Sequence, residues 1–215
     1  MALIDFDLEI QKKHQQIKLV GVDEAGRGPL AGPVCAAACY IPPSLYEHPI
    51  MQQINDSKKL TPKKREKIFE EFTKLPIIYC TGFASSQKID DVNILQATFF
   101  AMRHALSKFN GQNIYVLVDG NRLISNLKAP QEAIIKGDGT SLCIAAASII
   151  AKVSRDRYMN IVASKYPNYN FDDHKGYGTQ SHIEAIKKYG PCPEHRKTFE
   201  PLATMFGGLF GKDFI

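Results

Sequence analysis

Two apolar runs that each end in aspartate constrain this fold more than any other feature. In the first, Ile17, Leu19, Val20 and Val22 lead to Asp23; in the second, residues 114–118 lead to Asp119. Short runs this rich in β-branched residues read as strands buried on both faces. After the first run the chain reverses. Residues 24–33 carry three Gly and two Pro, too many breakers for a helix or a central ladder, so they read as a tight turn. The small-residue run 34–40 reads as the returning strand, closed by Pro42 and Pro43. Strands then alternate with helical periods. Thr61 and Pro62 make a cap and first-turn pair for a helix over 62–74. Residues 77–84 read as a strand, and 90–108 as a helix with Ile94, Leu95, Thr98, Phe99, Met102 and Leu106 on one face. Residues 133–136 read as a short strand, 142–166 as one long helix, 179–189 as another, and 1–15 as a short polar helix. The pattern predicts an α/β domain with a mixed sheet. It divides into a catalytic sheet domain, 1–166, and a helical C-terminal extension, 167–215, packed on it.

A chain of 215 residues, 44% of them hydrophobic, can bury a core without disulfides or structural metals. The five cysteines are odd in number, contain no Cys-x-x-Cys pair and read as small buried hydrophobes. With no membrane-length apolar run and no signal pattern at the N-terminus, the expectation is a cytoplasmic monomer that makes no membrane contact. The net charge of +5 is unevenly spread: residues 58–67 hold six basic side chains in ten. A solvated helix start and a phosphate-contacting edge both fit that run. Lys152, Arg155, Arg157 and Lys165 on the long helix suit a nucleic-acid backbone or, equally, a solvated face.

The candidate chemistry lies where strands end. Asp23 and Glu24, Asp119, and Asp138 follow three predicted strands. A single Asp in such a place is usually a turn former, but neighbouring strands would make all four converge. Carboxylates packed together raise one another's pKa unless a cation neutralises them. Oxygen donors without Cys or His select Mg²⁺ or Mn²⁺, and a carboxylate site for two such ions is an arrangement that cleaves phosphodiesters. Gly26-Arg27-Gly28 follows directly; its glycines allow close backbone approach to a ligand, and Arg27 adds a charged fork. The same stretch formally fits the dinucleotide pattern of an oxidoreductase, but that pattern must open a helix, which Pro29, Gly32 and Pro33 argue against.

These residues belong to a longer resemblance. Residues 21–34 resemble the opening motif of the ribonuclease HII family, the bacterial type 2 ribonucleases H. Asn55-Asp56-Ser57-Lys58-Lys59-Leu60, Val118-Asp119-Gly120, Lys136-Gly137-Asp138, residues 145–157 and His174-Lys175-Gly176-Tyr177-Gly178-Thr179 match in the same order. Related type HIII enzymes carry an extra N-terminal domain and Lys at the place of Arg27, so type HII is expected. The resemblance implies a ribonuclease H-like mixed five-stranded sheet flanked by helices, with a small helical C-terminal part. It implies an endonuclease that cuts the RNA strand of RNA/DNA hybrids, and single ribonucleotides in duplex DNA, leaving 5′-phosphate and 3′-hydroxyl ends. Asp23, Glu24, Asp119 and Asp138 match its metal-binding acids, and Gly26, Arg27 and Gly28 the loop that reads the 2′-OH at an RNA–DNA junction. Tyr177 matches the aromatic that stacks on the deoxyribose beyond it, and Ser57 and Lys58 match phosphate contacts. Asp156 falls in a matching motif, where pairing with Arg or capping a loop is expected instead. A non-catalytic hybrid-binding protein is the alternative. The apolar stretch 205–210 is expected to fold back on the domain, with docking to a replication clamp as its other reading.

Overall fold

The structure, a computed structural model, describes residues 3–14, 17–54 and 60–207. Ser57, Lys58 and the tail beyond residue 207 lie outside the described residues. In chain order the elements are α1 (Leu3–Lys13), β1 (Lys18–Ala25), β2 (Val34–Tyr40), α2 (Pro62–Phe72), β3 (Ile78–Ala84), α3 (Ser86–Leu106), β4 (Ile114–Asp119), β5 (Gln131–Ile134), α4 (Leu142–Lys165), α5 (Phe171–His174), α6 (Gln180–Tyr189) and α7 (Leu202–Phe206). The strands form one mixed five-stranded sheet in the order β3-β2-β1-β4-β5. The β1–β2 and β2–β3 pairs are antiparallel; β1–β4 and β4–β5 are parallel.

Strand parity builds the two layers. Val20, Val22, Val34, Ala36, Ala38, Val116 and Val118 face α3, while Ala37 and Cys39 face α2 and α4. The first ten residues of α4, Leu142 to Ala151, are all buried, so this half of the helix shows no amphipathic stripe. Gly21 of β1 lies directly beneath it. A Cβ there would run into the Cys143 backbone, and its absence lets α4 lie against the central strand. Ser141 caps α4 by accepting from the Ile144 N–H at 3.3 Å, and Asp7 of α1 accepts from the Cys143 N–H at 2.9 Å.

Three elements differ from their predicted form. β1 continues through Glu24 to Ala25, because Ala25 still pairs with Cys35. α3 starts earlier, at a Ser85 cap, and kinks at Asn93, which has φ 65°. Asn93 Oδ1 accepts from the Leu95 and Gln96 N–H groups, restarting the helix. β5 spans Gln131–Ile134 rather than 133–136. Its polar first residue looks like loop, yet the Gln131 side chain bonds both the N–H and the C=O of Ile124, at 2.8 and 3.0 Å. Lys136, expected in that strand, instead has φ 56°.

The C-terminal segment returns to the turn after β1. Residue Gly32 donates to the Glu194 carbonyl, Arg196 donates to the Leu30 carbonyl, and Ala31 bridges His195. Leu202, Met205 and Phe206 pack with Leu30, Ala31 and Met159. No helix of the described residues is long and apolar enough to cross a membrane.

Candidate active site

Register places the first two acids side by side. Val22 pairs with Val118 across the parallel β1–β4 ladder, so Asp23 and Asp119 leave adjacent strands at the same edge. Asp23 shares the parity of Gly21 and turns toward α4; Glu24 follows Val22 to the α3 side. Asp23, Glu24, Gly26, Asp119, Ser148 and Tyr177 line one cavity of about 240 Å³, with Arg65 and Lys152. Glu24, Arg27, Asp119 and Arg122 line a smaller recess of about 70 Å³ that adjoins it at Glu24 and Asp119.

Charge is crowded here. Burial first, then the negative charges of Glu24 and Asp119, hold the Asp23 carboxyl well above the usual carboxylate range. Hydrogen bonds from the Ser148 hydroxyl and from the Glu24 N–H, at 2.7 Å, pull the other way and lose. The nearby cations have other partners as well. Lys152 pairs with Asp156 at 2.8 Å, Arg65 donates to the Leu60 carbonyl at 2.6 Å, and Arg27 reaches Glu24 at 3.2 Å. Asp138 is buried in the tight turn Gly137–Gly139 and does not line the cavity. Its turn is tied to the cavity, since the Gly137 N–H donates to Asp119 Oδ1 at 2.6 Å.

This donor set fits a hard divalent cation in its chemistry: only oxygens, and a negative crowd that such an ion would relieve. The carboxylates are not already closed into a cage, for among the described residues no three Asp, Glu, His or Cys side chains are grouped to hold a metal.

The glycine loop forms the opposite wall. Gly26 has φ 92°, and a Cβ there would strike the Arg155 side chain. Gly28 lies beside Tyr177, a residue 46% exposed; a Cβ on Gly28 would sit 4.0 Å from Tyr177 Cε1. Two buried arginines support this wall from behind. Arg155 donates to the carbonyls of Pro33, Ala31 and Lys175 at 2.9 to 3.0 Å. Arg196 donates to those of Gly26, Arg27 and Gly32 at 2.5 to 3.1 Å. Beneath Tyr177, His182 Nδ1 meets the Tyr177 carbonyl at 2.8 Å, and His182 Nε2 meets His195 Nε2 at 3.0 Å. Burial pushes both imidazoles down to about 4, so they are neutral at neutral pH.

The sequence model of the ribonuclease HII family matches residues 20–201. The chain belongs to the ribonuclease HII family. A ribonuclease HII of Caldicellulosiruptor bescii is 52% identical over 195 residues, covering 90% of this chain and 92% of that one. A ribonuclease HII of Endomicrobium trichonymphae is 50% identical over 184 residues, 86% of each chain. The crystal structure of ribonuclease H2 from Pyrococcus horikoshii superposes with a TM-score of 0.70 at 27% identity, covering 91% of this chain and 100% of that one. As a ribonuclease HII this protein is an endoribonuclease with the ribonuclease H-like fold, and metal binding is typical of its family.

Sequence reasoning found the cavity but misread part of its surroundings. Arg155, counted among the basic side chains suited to a phosphate backbone, is buried; Arg157 pairs with Glu66 and lies over the Phe69 ring. The signal for Arg155 was its spacing. Ala151, Arg155, Met159 and Val162 recur at helical intervals, and all four are buried. Asp156 has a lysine partner where an arginine was expected. Ser148 lies in a matched motif, but nothing local marks it as a partner of Asp23. The meeting of His182 with His195 requires the C-terminal segment to fold back, which no periodicity records.

Proposed function

We propose that this protein hydrolyses the RNA strand of RNA/DNA hybrids and also cuts at a single ribonucleotide embedded in duplex DNA, leaving 5′-phosphate and 3′-hydroxyl ends. The observation that carries this reading is that Asp23, Glu24 and Asp119 share one cavity with Gly26 and Tyr177. Asp23, Glu24 and Asp119, with Asp138 from the adjoining turn, are the residues to hold Mg²⁺ or Mn²⁺. Two such ions, when bound, supply an activated water and stabilise the leaving oxygen.

The chain's own groups orient the rest. The Ser148 hydroxyl and the Glu24 N–H hold Asp23, and the Gly137 N–H holds one oxygen of Asp119. The glycine loop brings bare backbone to the cavity wall, where N–H and C=O groups can meet a 2′-OH, the group that separates RNA from DNA at a given site. Tyr177 offers its exposed ring to the sugar beyond. Arg27, Ser57 and Lys58 are assigned to the substrate backbone. The working compartment on this reading is the cytoplasm.

A cleavage assay tests the proposal, using a DNA duplex with one ribonucleotide, a full hybrid and an all-DNA duplex, each with Mg²⁺, Mn²⁺ or EDTA. Cutting of the first two, stopped by EDTA, is expected. Binding without cleavage in either ion would replace this reading with a hybrid-binding module.

A further inference from the structure

The most unusual feature outside the carboxylate cavity is a buried cation held by backbone carbonyls, with Asp90 near enough to act on its charge but not paired with it. Arg196 is 0% exposed, and among the described residues it forms no ion pair. Its plane packs over Phe199, 4.9 Å from the ring centroid. All its side-chain hydrogen bonds go to backbone carbonyls of one turn: Gly26, Arg27 and, twice, Gly32. A structural staple would be served by any carbonyl within reach. These belong to the glycine loop at the cavity wall, about 170 residues away in sequence.

Peptide geometry gives this choice a consequence. In a trans peptide the N–H points opposite to the C=O of the same unit. The carbonyls of Gly26 and Arg27 share their planes with the N–H groups of Arg27 and Gly28. Drawing those two oxygens onto a guanidinium therefore turns the two N–H groups away from it. The cation also polarises both units, making each N–H a stronger donor.

We propose that Arg196 is a positioning residue for sugar recognition: it gathers the Gly26 and Arg27 carbonyls behind the loop so that the Arg27 and Gly28 N–H groups form a fixed donor pair for the ribose of the substrate strand. This rests on the reading that the glycine loop senses the 2′-OH. Arg155 is the contrast. It is equally buried and bonds three carbonyls, but none from Gly26 or Arg27.

The test uses the full-length protein and its Arg196→Lys variant, which keeps the charge and loses the fork. Binding in EDTA, without turnover, is compared on a duplex with one ribonucleotide and on its all-DNA counterpart. Melting curves confirm folding. The wild type is expected to favour the ribonucleotide duplex, and Arg196→Lys to lose at least about tenfold of that preference, because a site built to bond a hydroxyl discriminates steeply. Affinity for the all-DNA duplex should stay within about twofold. A folded variant that keeps the preference overturns the proposal, as does an equal loss on both duplexes. A wild type with no preference overturns instead the reading of the loop on which the proposal stands, and removes the proposal with it. If Arg196→Lys does not fold, Arg196→Ala with millimolar guanidinium decides the matter. Recovery of the preference with guanidinium and not with sodium supports the role, and no recovery overturns it.

Discussion

The two sets of buried charge on either side of the β1 turn are handled in opposite ways. In the cavity, Asp23 is buried beside Glu24 and Asp119, and its two hydrogen bonds fail to bring its pKa down. Behind the turn, Arg155 and Arg196 are buried just as deeply, but each is wrapped by carbonyl oxygens. Taking an ion out of water costs several kcal/mol even after relaxation. Burial opposes the charge of the arginines too and lowers the pKa of both, that of Arg196 to about 9. An arginine starts high enough to stay charged at neutral pH, with its fork held by charge-assisted hydrogen bonds, whereas Asp23 has only two such bonds against burial and two carboxylate neighbours. The difference separates two jobs. The arginines hold a backbone shape, and the carboxylates hold a charge imbalance that a cation would satisfy.

Neutralising one carboxylate is the strongest way to break this comparison. Asp119→Asn is expected to lower kcat about a thousandfold or more, because the charge it removes is one that the ions of the proposed mechanism require. The melting temperature should hold or rise, since a neighbour that raises the Asp23 pKa is gone. Activity assays and melting curves on one preparation check both halves. A variant that melts well below the wild type would mean that this carboxylate supports the fold.

Arg155→Met makes the opposite change. It leaves the Pro33, Ala31 and Lys175 carbonyls without their donor in a buried place. The expected loss is about 3 kcal/mol of stability, read from denaturant unfolding, and cleavage at low temperature should survive far better than in Asp119→Asn. An unchanged unfolding midpoint would show that the carbonyls find other partners and that Arg155 is no staple.

The same contrast explains what the sequence made legible. The cavity is written locally: two apolar strands, each ending in Asp, become neighbours once paired in parallel, and the Val22–Val118 register follows from their common pattern. The turn after β1 was equally visible, because Gly and Pro carry their own conformational restrictions. The scaffold behind it was hidden. Arg155 looks like a surface charge until its helical spacing is weighed above its charge. Arg196 and His195 follow a Pro-rich stretch with no periodicity; the carbonyls that Arg196 bonds lie at the other end of the chain, and the ring that His195 meets, His182, lies 13 residues earlier. Gln131 falls outside the predicted 133–136 strand because a polar side chain that satisfies backbone groups in an edge strand looks the same in sequence as one facing water.

Asp7 sharpens the comparison with the smallest effect, as a buried carboxylate without the crowd. It reaches the N-terminus of α4, where its Oδ2 accepts from Cys143; its other oxygen has no partner. Burial pushes its pKa up to about 6, against the hydrogen bonds from Ser141 and Cys143 that lower it. The native state therefore keeps a proton that the unfolded chain, with a value of 3.8, has released. The Asp7 contribution to stability then falls as pH rises from about 4 to about 6, and its full cost, about 3 kcal/mol at 1.36 kcal/mol per unit, persists above that range. His182 and His195, pushed down to about 4 by burial, contribute in the opposite sense over the same range, so the Asp7 part is read as a difference between variants. Asp7→Asn mimics the protonated form and should lack that contribution. At pH 8 it is expected to be about 1–3 kcal/mol more stable than the wild type, and near pH 4 to be equal to it. Denaturant unfolding across the range decides the point. If the stability difference between the two proteins is the same at pH 4 and at pH 8, the Asp7 carboxyl ionises freely, and burial without like-charged neighbours does not suffice to hold a proton on an acid in this fold.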